Sequence, residues 1–145
     1  MVFRKHEART NGSKEVMVWG TGAAMREFLF SDDMADACVF LMTLPEPRFA
    51  ELLGSDETKS GKFEPPLVNI GAGEEISIRN LAQLIREVVG FEGDVVFDTS
   101  KPDGTPRKLL DVGRLKKRGW QASIGLREGL EKAYADFLEL EKAKA

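Results

Sequence analysis

Residues 77–98, SIRNLAQLIREVVGFEGDVVFD, decide the fold. Ser77 is an N-cap residue, because its hydroxyl can accept from an amide of the first helical turn. Ile78, Leu81, Ala82, Leu84, Ile85, Val88 and Val89 then recur at helical spacing, and Gly90 closes the helix. Asp94–Asp98 follows with Val95, Val96 and Phe97, a short strand. A helix handing over to a strand predicts a mixed α/β chain.

The same order extends in both directions. Upstream, Glu15-Val16-Met17-Val18-Trp19 alternates like a strand and ends at Gly20-Thr21-Gly22. Residues 1–14 read as the end of a helix followed by an Asn11-Gly12-Ser13 turn. Residues 32–44 predict a helix capped by Ser31 or Asp32, with Met34, Ala37, Cys38, Leu41 and Met42 on one apolar face and Pro45 as its stop. Residues 45–66 read as an exposed loop, with one helical turn at 49–53. Leu67–Ile70 reads as a strand ending in Gly71. Downstream, 99–108 reads as a loop, a short helix runs to Leu115, and a last helix over 126–140 buries Leu126, Leu130, Ala133, Tyr134, Phe137 and Leu138. The strands are short and few for a self-sufficient doubly wound sheet.

Composition sets limits. With 145 residues, 42% hydrophobic and 31% charged, the chain can bury one real core. No apolar run reaches the roughly 20 residues needed to span a bilayer, and the lack of a charged-then-apolar leader disfavours secretion. A net charge of −3 disfavours nucleic-acid binding by bulk charge. The single cysteine, Cys38, excludes an internal disulfide and a multi-cysteine metal site, fits a cytoplasmic setting, and reads as buried and structural. The single histidine, His6, reads as a surface residue without a partner.

Two glycine turns invite a phosphate-loop reading, and neither fits. Gly71-Ala72-Gly73 has Ile76 where a dinucleotide loop needs a third glycine, and Glu74 and Glu75 would repel a pyrophosphate. Gly20-Thr21-Gly22 lacks the Gly-Lys-Ser/Thr of a nucleotide loop. Two other features carry chemistry. Trp19 to Phe28 sets an aromatic and Arg26, a planar phosphate-pairing fork, around a glycine-bearing turn. Lys101-Pro102-Asp103-Gly104-Thr105-Pro106-Arg107-Lys108 offers cations, a carboxylate and a hydroxyl on a proline-restricted loop, an inventory suited to an anionic, hydroxyl-rich ligand such as a sugar nucleotide. On pattern alone, a core tryptophan beside a solvated charged loop explains both segments equally well.

Together with VNIGAGEEISIRNLAQLI, the segments TGAAMREFLFSDDMADA and VVFDTSKPDGTPRKLLDVGRLKKRGW resemble the C-terminal part of the GDP-L-fucose synthase family, extended short-chain dehydrogenases/reductases. The resemblance runs from about residue 4 to about residue 138. The MREF and DDMA pattern is shared more widely among sugar-nucleotide epimerases, whereas SKPDGTPRKLLD is more specific. The resemblance implies the C-terminal substrate-binding region of an extended short-chain dehydrogenase/reductase over residues 1–145, without the N-terminal Rossmann sheet. It implies a cytoplasmic, homodimeric enzyme that takes GDP-4-keto-6-deoxy-D-mannose to GDP-L-fucose by epimerisation at C3 and C5 and NADPH reduction at C4. By the same resemblance, Arg26 contacts the GDP portion, Trp19 lies at the substrate pocket, and Asp103, Lys108 and Arg4 contact substrate.

The catalytic parts of that family have no counterpart here. Tyr134 is the single tyrosine and Leu138 stands four residues on, so no Tyr-x-x-x-Lys exists. The family's glycine-rich cofactor loop and its catalytic cysteine and histidine belong to residues upstream of the matched region. The expectation is therefore a GDP-sugar-binding half with no catalytic, cofactor or metal residues of its own, inactive alone. NADP(H) is expected in the full-length family and not on this chain. Apolar surface left bare by the missing half is expected to promote self-association. Two alternatives stand beside this one: a stand-alone nucleotide-sugar binding module, or part of another sugar-nucleotide epimerase or dehydratase.

Overall fold

The computed structural model describes residues 1–53 and 67–144. Its elements run α1 (Val2–Thr10), β1 (Glu15–Trp19), β2 (Met25–Arg26), α2 (Ser31–Thr43), α3 (Glu46–Leu53), β3 (Ile76–Ser77), α4 (Ile78–Val89), β4 (Asp94–Asp98), β5 (Arg107–Lys108), α5 (Gly113–Lys117) and α6 (Leu126–Lys144). The chain is mixed α/β, with short strands and flanking helices, as residues 77–98 predict. It divides into two compact units. One comprises Met1–Arg26, Glu75–Leu109 and the chain from Gly125 onward; the other comprises Glu27–Glu74 and Leu110–Ile124.

The first unit is built on α4. Ser77 Oγ accepts from the Asn80 amide, and Gly90 adopts φ +67°, so both predicted ends are in place. The apolar stripe of α4 buries Leu81, Ile85 and Val89 with Ala8 of α1, Val16 of β1, Phe91 and Tyr134 of α6. Full burial of a Val or Leu side chain stabilises by about 1.5–3 kcal/mol, so this stripe is the main cohesive term of the unit. Arg9 adds a polar tie, donating to the Val89 carbonyl at 2.6 Å, where a cation complements the negative end of the α4 dipole. β1 pairs in parallel with β4, Glu15 opposite Asp94 through Trp19 opposite Asp98. β2 pairs antiparallel with β3 and parallel with β5. The segment 99–108 is thus a loop only as far as residue 106, and its last two residues close a ladder.

The second unit packs α2, α3 and α5 around Ala37, Leu52, Leu115 and Trp120. Several sequence expectations change here. The inward face of α2 carries Asp33 and Ala37, with Phe40, Leu41 and Leu44 half-buried, while Met34, Cys38 and Met42 are exposed. The rotation has a polar cause. The Asp33 carboxylate is buried and accepts from the Ser123 amide and hydroxyl and the Ile124 amide, at 2.8–3.0 Å. Apolar periodicity cannot register a buried aspartate, so Cys38 is an exposed thiol and not a core residue. Nor does Ser31 or Asp32 cap the helix. Phe30 occupies the N-cap, and the two acids sit in the first turn.

Residues 46–53 form α3, two turns rather than one, and Leu52 is buried. The rest of the predicted 45–66 loop, residues 54–66, lies outside the described residues. Leu67–Ile70 is not a strand. Arg114 donates to the Leu67 carbonyl, and the Asn69 side-chain amide donates to the Asp111 carbonyl, so side-chain bonds fasten this segment to residues 111–114.

Two residues of α1 stand out, and His6 departs from expectation. His6 is half-buried and has a partner: its Nδ1 lies 3.0 Å from the Tyr134 hydroxyl, with Phe137 edge-on to the ring. Ala133, by contrast, is exposed. Lys5 is fully buried, and its Nζ has no hydrogen-bond partner among the described residues. Burial pushes this amine down to about 8. The unfolded chain therefore binds more protons than the folded one between about pH 8 and the ordinary lysine value of 10.5, and stability rises with pH across that window. Lys5→Met is expected to raise stability at pH 7 by roughly 1–3 kcal/mol and to flatten that rise, as read by urea unfolding at several pH values.

Candidate functional site

The candidate site lies within the first unit, where the C-terminal end of β1 meets the loop that precedes β5. Gly20 and Gly22 take φ +83° and +77°, a conformation that glycine adopts without steric cost. Thr21 stands between them. Its amide donates to Asp103 Oδ1 at 2.9 Å and its hydroxyl donates to Asp103 Oδ2 at 2.6 Å. The Gly22 amide adds to the same carboxylate. These bonds, those from Thr21 first, hold the Asp103 carboxyl below the ordinary aspartate value. The Gly-Thr-Gly turn is therefore an anion-holding nest, and the anion is the chain's own carboxylate.

The approach requires glycine. A Cβ on Gly20 would stand 2.3 Å from Asp103 Oδ1, and one on Gly22 would stand 2.5 Å from the Phe97 ring. The turn is also fastened from outside. The Gly20 amide donates to the Asp98 carbonyl, and the Gly22 carbonyl accepts from the Arg79 amide, both at 2.9 Å. The Arg79 guanidinium donates to the Thr21 carbonyl and lies 4.0 Å over the Phe97 ring.

Around this latch the predicted residues gather. Trp19 is 67% exposed, with the Lys101 ammonium 5.7 Å from its ring centroid, an open cation–aromatic pair. Arg26 and Lys108 are register partners in the parallel β2–β5 ladder, so they leave the same face of it side by side. The Arg26 guanidinium donates to the Met25 carbonyl at 2.6 Å and reaches the Asp103–Gly104 turn, where a Cβ on Gly104 would lie 3.2 Å from it. Arg107 turns away to pair with Glu75 at 2.7 Å, and this partner raises its already high pKa. Arg26 thus stands beside Lys108 and next to the Asp103–Gly104 turn, while Trp19 precedes the glycine turn that holds Asp103. Arg4 lies on the exposed side of α1, and no hydrogen bond or ion pair joins it to the other four. Sequence reasoning assigned no role to Thr21, Arg79 or Lys101. The cation of Lys101 was visible in the loop, but the Thr21 partner stands 82 positions away.

The other glycine turn belongs to the second unit and is likewise occupied from within. Gly73 adopts φ +76°, and its amide donates to Glu27 Oε1 at 2.6 Å. Glu27 Oε2 accepts from the Leu110 amide at 3.0 Å. Both turns that could offer amides to a dinucleotide phosphate already hold carboxylates, so the residues present do not fit such a cofactor. Among the described residues there is no cluster of three or more metal-ligating side chains.

Residues 2–50 match the family model of the NAD dependent epimerase/dehydratase family. The chain is 48% identical over 139 residues to GDP-L-fucose synthase 1 of Arabidopsis thaliana, covering 96% of this chain and 38% of that protein. It is 48% identical over 141 residues to GDP-L-fucose synthase of Escherichia coli (strain K12), covering 96% and 41%. Among solved structures, a GDP-mannoheptose C4 reductase from Campylobacter jejuni with NADP bound superposes with a TM-score of 0.72 at 30% identity, covering 92% of this chain and 42% of that one. Over residues 2–50 the chain is thus similar to the NAD dependent epimerase/dehydratase family. Its sequence is similar to the GDP-L-fucose synthases, and it spans about two fifths of the length of the curated relatives it matches.

Gly20→Ala forces a side chain into both a left-handed backbone and the Asp103 carboxylate. It is expected to cost about 1–2 kcal/mol or more in urea unfolding and to speed exchange of the Thr21 amide, as read by NMR.

Proposed function

We propose that the chain is the GDP-sugar-binding, C-terminal portion of a GDP-L-fucose synthase, an enzyme that converts GDP-4-keto-6-deoxy-D-mannose to GDP-L-fucose by C3/C5 epimerisation and NADPH reduction at C4. The observation that carries this reading is the pairing of Arg26 with Lys108 in one ladder, with the Arg26 guanidinium beside the Asp103–Gly104 turn that is latched to the residue after Trp19-Gly20. Two cations side by side suit a diphosphate, an exposed indole suits a base or sugar face, and a carboxylate with lone pairs to spare accepts from hydroxyls or a base amine. The names of the relatives, GDP-L-fucose synthases in a plant and a bacterium, support the same substrate class. Arg4 completes the set in this proposal, reaching the ligand from α1.

In this reading NADP(H), the Tyr-x-x-x-Lys group and the larger sheet come from an N-terminal Rossmann half. The chain alone binds the GDP-sugar and performs no turnover, with the cytoplasm as its setting and homo-oligomers as a possible assembly. A second reading, a stand-alone nucleotide-sugar binding module, draws on one observation: both glycine turns are filled by the chain's own carboxylates.

Calorimetric titration with GDP tests the site. Wild-type binding is expected, weakened about tenfold or more by Arg26→Ala and by Lys108→Ala, since each removes a charge-assisted contact. A folded wild-type chain that binds no GDP would refute the assignment. An NADPH-oxidation assay separately tests the division of labour: the chain alone is expected to show none, and turnover would overturn that part.

A further inference from the structure

We infer that Thr21 is a positioning residue of the nucleotide-sugar site: its hydroxyl holds the Asp103 carboxylate, and through it the 101–106 loop, in binding geometry. This inference rests on the GDP-sugar reading above and assigns a role to a residue outside the predicted set.

The hydrogen-bond geometry around Thr21 fixes the direction of its single hydroxyl proton. Thr21 Oγ1 accepts from the Ala23 amide at 3.1 Å, so its proton is free to go to Asp103 Oδ2, 2.6 Å away. The Thr21 carbonyl is held at 2.5 Å by Arg79, which is itself stacked on Phe97. Thr21 is therefore the rigid member of the pair. Asp103 is the adjustable one, carried on an exposed loop. That loop is fastened at its two ends by backbone bonds, Lys101 amide to Asp98 carbonyl at 3.2 Å and Met25 amide to Pro106 carbonyl at 2.8 Å. Between those ends, the hydrogen bonds among the described residues are the ones from the 20–22 turn to Asp103. Arg26 approaches the same loop at Gly104, and Lys101 approaches Trp19. Releasing Asp103 thus frees the stretch between those ends, with Gly104, from its place beside Arg26 while leaving the two strands paired. Three donors leave the Asp103 carboxylate a lone pair outside the latch, so it can be held and still accept from a ligand.

The test compares Thr21→Val, isosteric without the hydroxyl, with Thr21→Ser, which keeps the hydroxyl. Two readouts are used on the full 145-residue chain: the pH titration of the Asp103 carboxyl carbon by NMR, without ligand, and GDP affinity by calorimetry. Thr21→Val is expected to move the titration upward by roughly half a pH unit or more and to weaken GDP about five- to tenfold. Thr21→Ser is expected to restore the titration and bring GDP affinity within about twofold of wild type. Thr21→Val leaving the titration unmoved would overturn the latch itself. A moved titration with unchanged GDP affinity would overturn its role in binding. Wild-type chain with a depressed Asp103 titration but no GDP binding would refute the functional reading and this positioning role with it, while leaving the latch as a structural feature.

Discussion

A carboxylate sunk into a two-glycine turn organises the candidate site. Asp103 brings a negative charge to the Gly20–Gly22 turn, where successive donors point at one small volume. Unfilled, such a concavity would present unpaired backbone amides to solvent. Filled, it ties the end of β1 to a loop 82 residues later in the chain. Trp19, which immediately precedes the turn, and Gly104, which immediately follows the aspartate, are brought into position by the same contact. The neighbouring β2–β5 ladder then sets Arg26 beside Lys108. The site is therefore a consequence of one long-range ion–dipole contact plus a two-residue ladder. Neither a deep cleft nor a glycine-rich helix start is involved.

The helix–strand run over 77–98 was legible because its cues are local. Ser77, the apolar spacing of α4 and Gly90 all act within a few residues of one another. The errors occurred where a distant group decides the local outcome. Asp33 turns α2 because Ser123 and Ile124 supply its donors from about ninety residues away. His6 has its partner, Tyr134, in the final helix. Leu67–Ile70 carries strand-like residues, but its Leu67 carbonyl accepts from Arg114 and its Asn69 side chain donates to the Asp111 carbonyl. In each case a polar contact across the chain outweighs an apolar pattern, because a buried polar group left unpaired costs more than a modest loss of apolar burial.

The site was legible to a different degree. Residue chemistry alone marked the Trp19–Arg26 segment and the 101–108 loop as worth attention, and resemblance to a family supplied their roles. The turn between Trp19 and Arg26 lacks the residues of a phosphate loop, yet it holds an anion, the Asp103 carboxylate. A motif search asks for an external ligand, and here the ligand is part of the chain. Lys101 and Arg79 were invisible as partners because aromatic faces, those of Trp19 and Phe97, carry no sequence signature of a bound cation.

The chain holds two tryptophans, and they lie in different units and opposite environments. Trp19 is 67% exposed beside a lysine, whereas Trp120 is 6% exposed with its indole N–H donating to Asp36. An exposed indole emits at longer wavelength than a buried one, so each unit carries its own spectroscopic reporter. Local loosening of the β1 end and melting of the α2–α5 core can therefore be followed as separate events in one emission spectrum, without an added label.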